Sequence, residues 1–242
     1  MKQPHIQVDT LQAKAALLPG DPARTERVAA LLDSPRELAY NREFRTIAGS
    51  FHGIEVVACS TGIGGSSASI AIEELHNVGI TSMIRIGSCG AMQKGIGLGD
   101  LILACGAVRD DGASRAYVDI RYPAVADPSL LFACMQSAAK HGWKAVTGIV
   151  HSHESFYTDT NQEETEKWSR LGVLGADMET AALFTVGRIR GIRTMSILNN
   201  VVEFGKDTGE SIGSYAQGAE LTAEGERREI LCALEALTGV SE

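Results

Sequence analysis

Short apolar runs alternate with amphipathic stretches along most of this chain. Residues 15–18, 54–59, 82–86, 101–108, 145–150 and 194–198 are apolar runs of strand length bounded by turn residues, and they predict buried β-strands. Between them, residues 23–32, 65–78, 127–141, 161–171 and 178–189 predict helices. The first has Asp21 as its N-cap and Pro22 at its first position; Gly79 and Gly142 stand just past the ends of the second and third. Residues 214–237 contain a terminal helix, with an interruption expected near Gly218 or Gly225. Strands alternating with helices, several of the strands fully apolar, predict an α/β fold with a largely buried sheet. In such sheets ligands bind beyond the carboxyl ends of the strands. Gly20 and residues 62–65, 88–90, 151–156 and 201–204 all follow apolar runs, so the pattern places them on one shared rim.

At 242 residues the chain fits one large domain, and no Pro/Ser-rich linker or charge block divides it. An apolar share of 44% is enough for a full core. The formal net charge of −8 disfavours nucleic acid and anionic membranes as partners. The five cysteines, with no Cys-x-x-Cys pair, read as reduced thiols rather than a zinc site or a disulfide framework. Residues 1–10 are polar, and no run approaches the ~20 apolar residues of a membrane span. The expected compartment is the cytoplasm.

The stretch Arg85-Ile86-Gly87-Ser88-Cys89-Gly90-Ala91 carries the most chemistry. It sets an arginine and a hydroxyl beside what reads as a glycine turn ending a strand. A guanidinium fork, a short donor and exposed backbone N–H groups suit an oxyanion such as phosphate. Arg85 stands at an apolar junction, where a buried charge requires an anionic partner. Arg24 and Arg42 also lie beside turns, although for Arg24, on a helix face, a solvated surface charge fits equally well. Asp177-Met178-Glu179 begins a helix, and carboxylates two residues apart do not share a helix face. Asp177 reads as an N-terminal cap. Glu179 reads as an acceptor for a ribose cis-diol, or as a stabiliser of positive charge growing on a sugar. Thr61-Gly62-Ile63-Gly64-Gly65-Ser66 lacks the third glycine and the later acidic residue of a dinucleotide site. Gly64 and Gly65 fit a tight strand-to-helix turn, and Thr61 and Gly62 the lining of a pocket. His151 and His153 share one face of a strand but have no third ligand for zinc. Phe156 suits base stacking and a core position equally.

Six stretches together resemble the nucleoside phosphorylase family in its hexameric type, and most of all its uridine phosphorylases. They are Pro19-Gly20-Asp21-Pro22, Asn41-Arg42-Glu43-Phe44, residues 59–65 (CSTGIGG), Arg85-Ile86-Gly87, residues 108–114 (VRDDGAS) and residues 122–127 (YPAVAD). The resemblance implies a single domain over residues 1–242, with a mixed central β-sheet flanked by helices. It implies a pentosyltransferase that uses inorganic phosphate to cleave a nucleoside, pyrimidine in this type, to free base and ribose-1-phosphate. Gly20, Arg24, Arg85 and Ser88 fall at phosphate-binding positions, and Arg42 at that of an arginine lent across a dimer interface. Cys89, Gly90, Phe156, Asp177, Met178, Glu179 and Val202 fall at nucleoside-binding positions. His5 matches a histidine borrowed from the neighbouring subunit to meet the ribose 5′-hydroxyl. Arg85 and Glu179 are the implied catalytic residues. Glu43, Ile63 and Ser67 match a potassium site at the dimer interface of some members. The implied partners are a nucleoside, phosphate and further copies of this chain in a hexamer, with no organic cofactor, nucleic acid or membrane.

Two departures leave the base open. Uridine phosphorylases carry a Gln-x-Arg pair after the stacking phenylalanine, where this chain reads Thr158-Asp159-Thr160-Asn161-Gln162, and Phe204 replaces a later arginine. Val202 lies near where purine enzymes hold an aspartate that protonates N7. Glu203 and Asn199 are the candidates for an alternative base contact. The competing readings are a purine nucleoside phosphorylase, a nucleosidase that uses water, and a nucleoside-binding protein without turnover. The retained arginines argue against the nucleosidase, because water needs no such clamp.

Overall fold

The computed structural model describes residues 2–206 and 220–239. β1 (Ala15–Pro19) is buried throughout and leads into α1 (Pro22–Ala29) through Asp21, whose carboxylate accepts from the Ala23 N–H at 2.9 Å. A hairpin follows, β2 (Asp33–Asn41) and β3 (Phe44–Phe51), which the apolar pattern does not announce because β2 is mostly exposed and polar. β4 (Ile54–Cys59), α2 (Gly65–Asn77), β5 (Ser82–Ala91) and β6 (Leu101–Asp110) come next. Then come a short α3 (Gly112–Tyr117), β7 (Ala124–Val125), α4 (Pro128–Lys140) and β8 (Ala145–His153). α5 (Asn161–Arg170), β9 (Gly175–Asp177), α6 (Thr180–Ile189), β10 (Arg193–Val202) and α7 (Glu220–Gly239) complete the order. Residues 214–219, where the pattern starts the last helix and where Gly218 lies, fall outside the described residues.

These strands form one mixed sheet. β5 runs parallel to β1 and β10, and β10 antiparallel to β6. β6 is parallel to β8 and β8 to β9, and β9 returns antiparallel to β5 through Gly90↔Ala176 and Ala91↔Gly175. The pairings close a ring, β5-β10-β6-β8-β9, from which β1, β4, β3 and β2 extend as an arm. α2, α3 and α6 pack together, α4 packs on α7, and α7 lies against β10, β5 and β1. Leu17, Ile72, Leu75, Met83, Ile84 and Phe184 are among the fully buried core side chains. This is the α/β architecture, a mixed sheet flanked by helices, that the resemblance implies. No described helix is long and apolar enough to cross a membrane.

Two local expectations are corrected. β5 does not turn at Gly87 but continues to Ala91, and neither Gly87 nor Gly90 has a left-handed φ. Gly87 is needed for space: a Cβ there would stand 2.4 Å from Arg85 Nη2. α7 is not interrupted at Gly225. A Cβ at 225 would lie 2.2 Å from Asn199 Oδ1 and 2.6 Å from the Gly99 Cα, so this glycine lets the helix approach the sheet.

Candidate active site

A cavity of about 1080 Å³ lies at the carboxyl ends of β1, β5, β9 and β10, walled also by α1, the turn before α2, α5 and α7. The rim read from the sequence is here: Gly20, Gly62, residues 88–90, Phe156 and residues 201–204 all line it. Thr61 does not line it, nor does His151, which is buried behind with Nε2 at 2.9 Å from Asp110 Oδ2. The His151 and His153 rings are 5.8 Å apart, and no described group of three or more His, Cys, Asp or Glu is placed to hold a metal.

One end of the cavity is built from arginines. Arg24, on α1, is only 3% exposed. Its Nη1 donates to the Ile86 carbonyl at 2.9 Å and to Glu229 Oε1 at 3.0 Å, its Nη2 to Ser88 Oγ at 3.0 Å and its Nε to Glu226 Oε2 at 2.9 Å. The surface-charge reading of Arg24 is thereby excluded. Arg85 projects from β5, where its backbone is paired with Leu18 and Ser196. Its Nε donates to Asp177 Oδ2 at 2.9 Å and its Nη2 lies 2.7 Å from Glu179 Oε2. Burial alone would lower the Arg85 pKa, but the charges of Glu179 and Asp177 outweigh it and hold it above the ordinary arginine value.

Asp177 and Glu179 do different work. Asp177 accepts from Ser152 Oγ at 2.6 Å, from the Thr180 N–H at 3.0 Å and from Thr180 Oγ1 at 2.6 Å. The N-cap position of α6 is Glu179, but Asp177, two residues before it, takes the first N–H of the helix and also anchors Arg85. Glu179 Oε1 accepts from the Gly64 N–H at 2.6 Å, so the glycine turn before α2 holds the carboxylate in place. Burial raises its carboxyl pKa against the opposing charge of Arg85. Cys89, Gly90, Met178 and Val202 complete the wall between these groups and Phe156. Burial pushes the Cys89 thiol well above its usual pKa, so it lines the cavity as a neutral group.

His5 and Arg42 do not reach this cavity. His5 Nδ1 is 2.6 Å from Glu74 Oε1, and its backbone N–H donates to the same carboxylate. Arg42 is exposed in the turn between β2 and β3, with φ at +55°. Glu43 and Ile63 line the cavity, while Ser67 bonds Glu43 Oε1 at 2.8 Å from behind. Asn199 is fully buried off the cavity, its Nδ2 bonded to the Thr222 carbonyl at 2.8 Å, so Glu203 alone of the two alternative base contacts stands in the wall. His153, read from the sequence only as a candidate zinc ligand, lines it too, as does Asn161 from the stretch that replaces the Gln-x-Arg pair; Thr165, Arg27 and Glu226 also line it and carry no signal in the sequence pattern. Glu226 and Glu229 sit in a charge-rich helical stretch, E-G-E-R-R-E, that reads as an ordinary solvated face. Only the small residue beside them hints at close packing.

The profile of the phosphorylase superfamily matches residues 14–214, and the chain belongs to that family. It is 40% identical over 211 residues to the uridine phosphorylase of Thermococcus kodakarensis, covering 80% of this chain and 76% of that one. It is 36% identical over 197 residues to the guanosine phosphorylase of Halorubrum lacusprofundi, covering 81% of each. The crystal structure of uridine phosphorylase from Vibrio fischeri ES114 superposes with a TM-score of 0.92 at 45% identity, covering 98% of both chains. The likeness to uridine phosphorylases read from the motifs is thus borne out.

Proposed function

We propose that this chain is a nucleoside phosphorylase of the uridine phosphorylase type, which uses inorganic phosphate to cleave a nucleoside to free base and ribose-1-phosphate. The observation that carries the reading is the meeting of Arg24, Arg85 and Ser88 with buried Glu179 in one cavity. Arg24, Arg85, Ser88 and the Gly20 backbone hold the phosphate beneath C1′ of the ribose. Glu179 and Met178 hold the sugar, with Glu179 on the cis-diol, and Phe156, Cys89, Gly90 and Val202 flank the base. As the glycosidic bond lengthens, positive charge grows on the sugar and the phosphate dianion stabilises it. A phosphate oxygen then bonds to C1′, the C–N bond breaks and the base leaves with its electron pair. Fixing the phosphate makes the attack effectively unimolecular, which supplies much of the rate.

In this reading a neighbouring copy lends Arg42 and His5 to the site, and their position outside the cavity of their own chain supports it. A hexamer of three dimers is the expected assembly. Glu43, Ile63 and Ser67 are the residues for a potassium ion at that interface, with the Glu43 carboxylate and the Ser67 hydroxyl, 2.8 Å apart, as hard oxygen donors. The Glu43 backbone N–H, and then Ser67, lower the Glu43 carboxyl pKa, so the donor is ionised. The cytoplasm is the expected compartment.

The base is tested directly. Uridine, thymidine, inosine, guanosine and adenosine, each with and without phosphate, are followed by released base. Phosphate-dependent release from uridine ahead of the purines supports the reading, and release that ignores phosphate contradicts it.

A further inference from the structure

The chemistry above uses Arg24 but not the carboxylates behind it. Glu226 and Glu229 lie three residues apart on one face of α7. Glu226 is 5% exposed and bridges two arginines, accepting from Arg24 Nε at 2.9 Å and from Arg27 Nη2 at 3.1 Å. Glu229 is fully buried and lies behind Arg24, off the cavity wall. Its Oε1 takes the Nη1 edge of Arg24 at 3.0 Å, which leaves the Nη2 edge against Ser88 on the cavity wall. Its Oε2 has no hydrogen-bond partner among the described residues.

We propose that Glu229 is a proton-linked positioning residue for the oxyanion end of the cavity: neutral, it orients Arg24 and leaves that charge to phosphate; ionised, it cancels it. The proposal rests on the phosphorylase reading. The charged and titratable groups facing Glu229 are Arg24 from α1, Glu226 from its own helix, and Arg85 with Cys89 from β5. β10 offers the Asn199 backbone, and β1 has no titratable side chain. Lys140 and His141 of α4 meet Glu235 instead. Burial, the largest influence, pushes the Glu229 carboxyl up to about 8 against the pull of Arg24, so its titration falls within the pH range of the test below. A carboxylate here with an unmet oxygen would be costly, whereas the neutral acid keeps the Oε1 contact.

The test is calorimetric titration of the full chain with inorganic phosphate between pH 6 and pH 9.5. Wild type is compared with Glu229→Gln, which keeps an acceptor and cannot ionise, and Glu229→Leu, which removes the acceptor. The second ionisation of phosphate is common to all three and cancels between them. In wild type, Kd rises above pH 8, by about tenfold for each unit of coupling between the two sites. Glu229→Gln shows a pH 9 to pH 7 ratio of Kd several-fold smaller than wild type. Glu229→Leu raises Kd for phosphate above wild type at pH 6 to 7, where the wild-type group is neutral and orients Arg24, while KM for the nucleoside and the melting temperature report that the cavity is intact. Coincident ratios in wild type and Glu229→Gln overturn the role of Glu229 alone. Wild type that binds no phosphate at any pH overturns the phosphorylase reading with it.

Discussion

Arg85 reaches Asp177 and Glu179 because residue 87 has no side chain. A methyl group at 87 would meet the guanidinium at 2.4 Å, and the flexible end of Arg85, not the backbone, would give way. Gly87→Ala therefore lowers kcat/KM by at least about tenfold, the loss of one charge-assisted hydrogen bond. Its melting temperature falls as well, as calorimetry would show, because the buried Asp177 and Glu179 carboxylates lose part of their pairing with Arg85. Glu229 also makes the stability of the fold depend on pH. Its carboxyl stands at about 8 folded and 4.5 unfolded, so between those values the unfolded chain sheds a proton that the folded chain keeps. Stability from this group is present below 4.5, falls as pH rises through the window and levels off above 8. The melting temperature of Glu229→Gln should gain on wild type from pH 5 to pH 8, and a constant gap would contradict the raised carboxyl. Arg85, Ser88 and Glu179 were legible because polar residues interrupt apolar runs there. Glu226 and Glu229 were not, since a helix with alternating charges looks the same whether that face meets water or a buried arginine.

Each ring strand read from the sequence is longer in the structure than its apolar run. Residues 82–86 become Ser82–Ala91, residues 145–150 become Ala145–His153, and residues 194–198 become Arg193–Val202. Most of the added residues are small or polar, among them Gly87, Ser88, Gly90, His151, Ser152, His153, Asn199 and Asn200, which meet the cavity or buried hydrogen-bond partners rather than the apolar core. Apolar periodicity thus locates strands well and stops short where function begins. The hairpin of β2 and β3 was missed for a related reason: β2 is held by its ladder to β3 rather than by buried side chains. At α7, packing replaces pattern. Gly225→Ala drives a methyl into Asn199 and the Gly99 backbone, an overpacking that costs about 1–3 kcal/mol. Urea unfolding should show that loss, together with weaker phosphate binding as Glu226 and Glu229 are moved off Arg24.

For the whole molecule, the motifs disclosed the family and the layered α/β plan, whereas closure of the ring through β9 could not be read from so short a strand. Arg42 holds a left-handed φ, a conformation that costs a residue with a side chain on the order of 1 kcal/mol, yet it does not line its own cavity. Arg42→Ala and Arg85→Ala should each be nearly inactive alone. In a dimer with exchanged arginines, co-expression at equal levels restores about a quarter of the sites, since one site of each mixed pair has both groups. No recovery would place each site within one chain.

The most direct measurement follows the phosphorus itself. With uridine, phosphate and this protein, 31P NMR should show inorganic phosphate converted to a sugar phosphate ester in step with released uracil, one for one. Uracil released while the phosphate signal stays unchanged, with free ribose as the product, would contradict the account.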